Sequence, residues 1–415
     1  MKYVKDLTKK ARRASYKLSL LDSKTKTRVL SKMAKAILDN KKFILSENKK
    51  DVANASKANV AKSFIDRLTL NEKRLKEMSA SLSEIANFAD PVGSLIKKWK
   101  RPNGLSISKV RASIGVVMIV YEARPNVTSD CVGLLFKSSN VGILRGGKAS
   151  LRSNLAIAKI LKKVVYDCGI NFDPFFIVEK TDHKIVDALL KENENIDMVI
   201  PRGGEALIQK VVKESTIPVI KHYKGICHVY VDATGCKRQA MRICVNGKCQ
   251  RPSVCNAVET ILVHQVQAKK FLPRLKKEFD SLGVEIRGCA KTAKILKGIK
   301  KATQKDWSTE YLALIVSVKI VEDINQAIEH INNYGSHHTE TIITKNKAMA
   351  AKFAREVDSA CCFVNISTRF SDGHQFGLGA EIGISTDKLH ARGPMGVEDL
   401  TTYKYVVTGA GQIRE

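Results

Sequence analysis

One cysteine stands at a turn in Gln250-Arg251-Pro252-Ser253-Val254-Cys255-Asn256-Ala257-Val258-Glu259-Thr260, just ahead of the apolar run Ile261-Leu262-Val263-His264. A thiol held where the chain turns, beside backbone N–H groups, suits attack on an acyl carbon: the thiolate forms a thioester while N–H donors stabilise the oxygen that gains charge. Taken alone, a single cysteine is more often a small buried apolar residue. Two glycine-rich turns add to the case. Pro201-Arg202-Gly203-Gly204-Glu205 follows Met198-Val199-Ile200 and precedes an amphipathic stretch with Leu207, Ile208, Val211 and Val212. Glycines at such a strand-to-helix turn let a phosphate approach the N–H groups at the positive end of the helix. Arg145-Gly146-Gly147-Lys148, after another strand, supplies two cations. On neighbouring parallel strands these turns bracket a dinucleotide, and the cations favour a 2′-phosphate over a free ribose hydroxyl. Turn geometry and ordinary surface charge are the plainer accounts of each motif by itself. No suitably placed Gly-x-Gly-x-x-Gly occurs, so the ordinary dinucleotide fingerprint is absent.

The elements that position these residues follow from length and pattern. A chain of 415 residues exceeds what one core usually supports, so two or three lobes are expected. The apolar run from Ile114 to Tyr121 is far too short to span a bilayer, and no membrane segment is predicted. Residues 1 to about 90 read as three or four helices, the first with Val4, Leu7, Ala11, Ala14, Leu18 and Leu21 at spacings of three and four. That periodicity favours a helix face over a targeting presequence despite Lys9-Lys10 and Arg12-Arg13. Arg101-Pro102-Asn103-Gly104 reads as the turn of a hairpin that is a candidate subunit contact. From Ile114 onward β-branched runs alternate with helices, which predicts an α/β fold with mostly parallel sheets. A second α/β series begins near residue 230, and Thr401 onward looks like a last strand.

Ten cysteines show no C-x-x-C pair, and nine histidines show no ligand spacing, so a reducing, cytoplasmic compartment and no metal are expected. The formal charge of +30 raises the possibility of nucleic-acid binding. Its distribution argues against that: lysines such as Lys269-Lys270, Lys276-Lys277 and those from Lys297 to Lys305 are scattered over helices, with no helix-turn-helix, aromatic RNP-like strand or basic tail. A positive field that attracts anionic ligands is the consequence retained.

Seven blocks in order give the pattern a family resemblance. They are Tyr121-Glu122-Ala123-Arg124-Pro125-Asn126-Val127-Thr128, Arg145-Gly146-Gly147-Lys148, Val199-Ile200-Pro201-Arg202-Gly203-Gly204, Cys227-His228-Val229-Tyr230-Val231-Asp232, Gln250 to Thr260, Phe376 to Thr386, and His390-Ala391-Arg392-Gly393-Pro394-Met395-Gly396. Together they resemble the gamma-glutamyl phosphate reductases of the aldehyde dehydrogenase superfamily. The resemblance implies an aldehyde dehydrogenase-like fold of two α/β lobes with mostly parallel sheets plus a small oligomerisation hairpin. It implies a cofactor-binding domain over 1–96 and 116–230, a catalytic domain over 231–360, an oligomerisation element over 97–115 and 395–415, and a returning segment near the active site over 361–394. The implied reaction is NADPH-dependent reduction of L-glutamate 5-phosphate to L-glutamate 5-semialdehyde, the second step of proline biosynthesis.

Carried over residue by residue, the resemblance makes Cys255 the nucleophile and Asn126 the oxyanion amide. Arg145, Lys148, Gly203, Gly204 and Glu310 are implied to bind NADPH, Lys148 standing where NAD-dependent relatives often carry a glutamate. Asn365 lies in a motif near the implied active site. Arg124, Arg369 and Arg392 are candidates for the glutamyl amino and carboxylate groups. The stretch Lys221-His222-Tyr223-Lys224-Gly225-Ile226 lacks the carboxylate with which hydrolytic relatives activate water, and a reductase needs none. Gly247, in a predicted helix over 240–249, departs from the alanine usual in the family, at a helix cost on the order of 1 kcal/mol. A homodimer or homotetramer and a contact with glutamate 5-kinase complete the expectation. The competing readings are a nucleic-acid-binding or other interaction protein on the same fold, and an acylating aldehyde dehydrogenase with a different acyl donor.

Overall fold

The computed structural model describes residues 1–58, 60–221 and 224–414. His222 and Tyr223, in the carboxylate-free stretch, lie outside the described residues. The chain forms two compact units, one of Met1–Lys221, Gly377–Gly383 and Met395–Glu415, the other of His222–Phe376 and Ile384–Pro394.

The first unit opens with helices α1 (Lys2–Leu18), α2 (Ser23–Asp39), α3 (Lys41–Lys57), α4 (Lys62–Leu68) and α5 (Glu72–Asn87). Three or four helices are expected there; the additional α4 spans seven residues, too few for a period to show. Along α1 the buried residues Val4, Leu7, Ala11, Ala14 and Leu18 form the predicted stripe. Strands β1 (Leu95–Lys100) and β2 (Ser106–Ser113) pair antiparallel as the predicted hairpin. Next come β3 (Val116–Tyr121), α6 (Asn126–Lys137), β4 (Val141–Arg145), α7 (Leu151–Asp167), β5 (Phe175–Ile177), α8 (His183–Leu189), β6 (Met198–Arg202) and α9 (Glu205–Glu214). All six side chains of β3 are buried, the signature of a strand covered on both faces. The parallel sheet runs β5-β4-β3-β6. Val120 lies opposite Arg145 and Tyr121 opposite Arg202, so the loops after β3, β4 and β6 leave one edge of the sheet together.

The second unit contains β7 (Cys227–Val231), α10 (Lys237–Cys249), β8 (Val258–His264), α11 (Gln265–Ser281), β9 (Glu285–Gly288), α12 (Ala290–Ile295), β10 (Lys300–Lys301), α13 (Gln304–Trp307), β11 (Ile315–Val321), α14 (Ile324–Tyr334), β12 (Thr339–Ile343), α15 (Lys347–Glu356) and β13 (Cys361–Val364). Seven parallel strands lie in the order β10-β9-β11-β8-β7-β12-β13, which puts β8, the strand that follows Cys255, at the centre. Ile261 and Val263 of β8 pack with Phe271 and Leu275 of α11 on one face, while Leu262 packs with Ile328 and Phe353 on the other. The strand alternation thus feeds two cores. The stretch from Lys297 to Lys305, expected on a helix, instead holds edge strand β10 and the start of α13. Exposed lysines on an edge strand carry no apolar period to read, and they discourage pairing with another chain.

A short antiparallel pair, β14 (Ile384–Ser385) with β15 (Gly393–Pro394), belongs to the second unit. The chain then returns to the first unit, where β16 (Thr401–Thr408), the predicted last strand, pairs antiparallel with β2 along its whole length. Among the described residues no helix is long and apolar enough to cross a membrane.

Gly247 has a packing reason. A Cβ there would lie 2.5 Å from Val258 Cγ2, a stiff β-branched neighbour on the central strand. Gly247→Ala is therefore expected to lower the stability of the second unit by about 1 kcal/mol, because overpacking of ~1–3 kcal/mol outweighs the helix-propensity gain of ~1 kcal/mol. The companion Val258→Ala should reverse the sign of the Gly247→Ala effect. Denaturant titration of the four variants measures this, and a Gly247→Ala chain more stable than the parent would refute the packing account.

Candidate functional site

In the second unit Cys255 is half-buried in the turn before β8. Three neighbours hold that turn. Gly225 approaches so closely that a Cβ on it would come within 1.8 Å of the Cys255 carbonyl oxygen and 2.4 Å of its Cα. The buried Cys227 thiol donates to the same carbonyl at 3.3 Å, and burial pushes that thiol well above the ordinary range, so it stays protonated as a donor. Asn256, buried next to the nucleophile candidate, donates to the Ser371 carbonyl at 2.8 Å and accepts Thr368 Oγ1 on its own carbonyl at 2.7 Å.

Arg369 is brought to the same place. Its Nε donates to Gln250 Oε1 at 2.8 Å and its Nη1 to Asn256 Oδ1. Burial, with repulsion from Arg251, lowers its guanidinium from the usual value. Glu310, half-buried, accepts the Gly225 N–H at 2.9 Å, which ties the acid to the residue that abuts Cys255. Arg392 lies elsewhere in this unit, donating to Asp358 Oδ1 at 2.8 Å, and Lys388 also pairs with Asp358. Those two cations hold the Asp358 carboxyl down at about 2. Asn365, in the left-handed region at φ 60°, exchanges two hydrogen bonds with the Thr344 backbone and joins the ends of β12 and β13.

In the first unit the predicted residues gather at the carboxyl ends of the parallel strands, where ligands of open α/β sheets bind. Asn126 opens α6, and its amide donates to Asp130 Oδ2 at 3.3 Å. Pro125 precedes the first helical turn with φ already helical. Arg145 ends β4, with Nη2 on the Thr181 carbonyl at 3.3 Å; burial lowers its guanidinium. Lys148 is exposed at the start of the turn that leads into α7. Arg124 is exposed after β3.

The Gly203-Gly204 turn differs from its expected form. The Gly204 N–H donates to Glu122 Oε1 at 2.9 Å, and a Cβ on Gly203 would meet the Glu122 side chain at 2.7 Å. A carboxylate from the β3 loop thus takes the positive end of α9 that the motif suggested for a phosphate. Gly203 is necessary for that approach, whereas a Cβ on Gly204 would meet Glu122 Oε1 at an ordinary 3.5 Å; the partner of the turn here is Glu122. Gly147 shows a second close approach, with a Cβ position 3.2 Å from the Ala123 N. Neither Glu122 nor Gly225 is marked by sequence reasoning as a functional residue. Glu122 sits inside a quoted motif, whereas Gly225 is thirty residues from Cys255 (255 − 225) and only the fold brings them together.

No family model matches the chain. It is 52% identical over 407 residues, 98% of its own length and 98% of the relative's, to the gamma-glutamyl phosphate reductase of Caldanaerobacter subterraneus subsp. tengcongensis. The crystal structure of gamma-glutamyl phosphate reductase from Thermotoga maritima is similar with a TM-score of 0.97 at 43% identity, covering 99% of this chain and 100% of that one. An acetylating aldehyde dehydrogenase from Geobacillus thermoglucosidasius, 13% identical with a TM-score of 0.71 over 100% of this chain and 98% of that one, shares the fold. With such identity over the whole of both sequences, the chain belongs to the gamma-glutamyl phosphate reductase family of oxidoreductases, on an aldehyde dehydrogenase-like fold.

Proposed function

We propose that this chain reduces L-glutamate 5-phosphate to L-glutamate 5-semialdehyde and phosphate with NADPH, as the cytoplasmic second step of proline biosynthesis from glutamate. The observation that carries this reading is the full-length similarity to proteins named for that reaction. The Cys255 thiolate attacks the acyl carbon, the C–O bond to phosphate breaks, and phosphate leaves with the bonding pair. The resulting thioester is the group reduced; NADPH, when bound, supplies the hydride. The tetrahedral adduct on Cys255 then expels the thiolate and releases the aldehyde. Asn126 has the role of amide donor to the oxygen that gains charge. Of the two candidate arginines in the second unit, Arg369, whose guanidinium lies on the residue after Cys255, is the better placed to meet the substrate carboxylate.

The cofactor reading draws on the strand ends of the first unit. Glycine backbones at 147 and 203 let the loops after β4 and β6 close on the loop after β3, leaving cations Arg145 and Lys148 at the rim. Lys148 is assigned to the 2′-phosphate of NADPH, Arg145 to the same anionic end, Gly203 and Gly204 to the loop that shapes the site, and Glu310 to the nicotinamide ribose. In the assembly, β16 is the contact we assign to a homodimer or homotetramer. It pairs only with β2 in this chain, its outer edge is unpaired among the described residues, and Tyr403, Tyr405, Val406 and Val407 are exposed along it. Docking with glutamate 5-kinase belongs to the same reading, since an acyl phosphate is labile and direct hand-over limits its hydrolysis.

Three measurements test this reading. In the reverse direction, the protein is expected to reduce NADP with glutamate 5-semialdehyde in a phosphate-dependent way, and Cys255→Ala to abolish turnover while folding normally. Wild-type protein inactive with both NADP and NAD would remove the proposal. Lys148→Glu should cut kcat/KM for NADP by roughly tenfold or more and raise it for NAD, because a carboxylate repels a 2′-phosphate and accepts from a ribose hydroxyl. Unchanged preference would show that Lys148 does not read the 2′-phosphate. Light scattering should give the mass of a dimer or tetramer, and Val406→Lys should shift it towards the monomer; a monomeric parent at micromolar concentration would rule out the β16 interface.

A further inference from the structure

Inside the second unit lies a charge pair that the proposed reaction does not use. Lys248, near the end of α10, and Glu259, on β8, are both fully buried and meet at 2.6 Å between Nζ and Oε2. Burial raises the Glu259 carboxyl to about 7 and lowers the Lys248 ammonium, so holding them charged here is unfavourable. Buried ion pairs of this kind are often replaceable by well-packed apolar residues with no loss of stability. The pair therefore calls for a reason other than stability, and the second oxygen of Glu259 supplies one.

Glu259 Oε1 accepts the N–H of Leu312 at 3.2 Å. Leu312 has φ 53°, in the left-handed region that residues with a side chain rarely adopt. The preceding Tyr311 is fastened as well, its hydroxyl donating to Asp306 Oδ1 at 2.8 Å and meeting Ser317 Oγ at 2.8 Å, with Lys248 Nζ 5.9 Å and Arg287 5.0 Å from its ring centroid. The residue before that is Glu310, whose Oε1 takes the Gly225 N–H beside the Cys255 backbone. Glu259 also lies four residues beyond Cys255 (259 − 255) on the same segment.

We propose that Lys248 and Glu259 are positioning residues: their buried ion pair holds the Tyr311–Leu312 turn in its left-handed form and thereby presents Glu310 beside the Cys255 segment. Lys248 fixes the carboxylate plane through Oε2 so that Oε1 faces the Leu312 amide. An apolar pair of the same volume packs the space but offers that amide no acceptor. This inference rests on the assignment of Glu310 to the cofactor.

The test uses the full-length protein, with NADP reduction by glutamate 5-semialdehyde and phosphate. The double variant Lys248→Met/Glu259→Leu replaces the pair with apolar side chains. It is expected to melt near the parent temperature while its KM for NADP rises about tenfold and its KM for the aldehyde stays within about twofold, as misplacement of one cofactor-binding group predicts. Glu310→Gln alone should give a similar rise, and adding it to the double variant should raise KM little further, because all three changes remove one interaction. Should the double variant fold poorly, Leu312→Val gives a second route: a β-branched residue at this exposed position disfavours the left-handed turn with the ion pair intact and is also expected to raise KM for NADP. A double variant or Leu312→Val protein with parental KM for NADP, alongside a Glu310→Gln protein with a raised one, overturns the inference alone. If Glu310→Gln itself leaves KM for NADP unchanged, the cofactor assignment of Glu310 fails instead and removes the inference's basis.

Discussion

The Cys255 carbonyl and Gly225 leave no room for a side chain between them, and much of the second unit is arranged around that approach. Each residue from 225 to 227 is tied in turn: the Gly225 N–H to Glu310, the Ile226 N–H to Ser336 Oγ at 2.8 Å, and the Cys227 thiol to the Cys255 carbonyl. The same residues lead into β7, which pairs parallel with β8, so the nucleophile turn and its support enter the centre of the sheet side by side. A catalytic turn must be rigid to within a fraction of an ångström if it is to keep attack geometry. Close-packed backbone provides that rigidity with no rotatable side chain in the contact.

Charge is handled differently at the surface and inside. The excess of lysine and arginine is largely solvated, and its field concentrates anionic reactants near the molecule. Inside, Lys26 meets Asp90 at 2.5 Å, and His228 meets Glu340 at 2.9 Å with both side chains fully buried. Glu122 at the start of α9 belongs to the same economy, because a fixed carboxylate satisfies a helix end that otherwise needs water or a ligand. In each case the partner comes from a distant stretch of chain, so the pairs record how loops and helices are brought into register.

Local signals were readable wherever one segment carried its own pattern. The unbroken apolar run of β3, the stripe on α1, the Pro-Asn-Gly hairpin turn and the cysteine before a central strand all stand where the sequence indicates. Features that depend on two distant segments were not readable. Nothing near Gly203 announces that Glu122 will cap it, and nothing near Gly247 announces that Val258 will lie 2.5 Å from its missing side chain. β10 escaped because its two exposed lysines have no apolar partner to set a period. Nothing in the sequence marks Lys248 and Glu259 as a buried pair, and only the fold shows that they face each other.

The pairing of β16 with β2 has a consequence for how the chain is made. Ser113 meets Thr401, so the outer strand of the hairpin sheet is supplied only after the whole second unit has been synthesised. At ~5–20 residues per second, the β1–β2 hairpin waits on the order of tens of seconds with one edge unpaired. Throughout that interval the nascent first unit exposes a template for strand addition, and a neighbouring chain on the same message presents the matching segment. Completion of this sheet is therefore a late, long-range step whose timing separates correct closure from exchange of the last strand between copies.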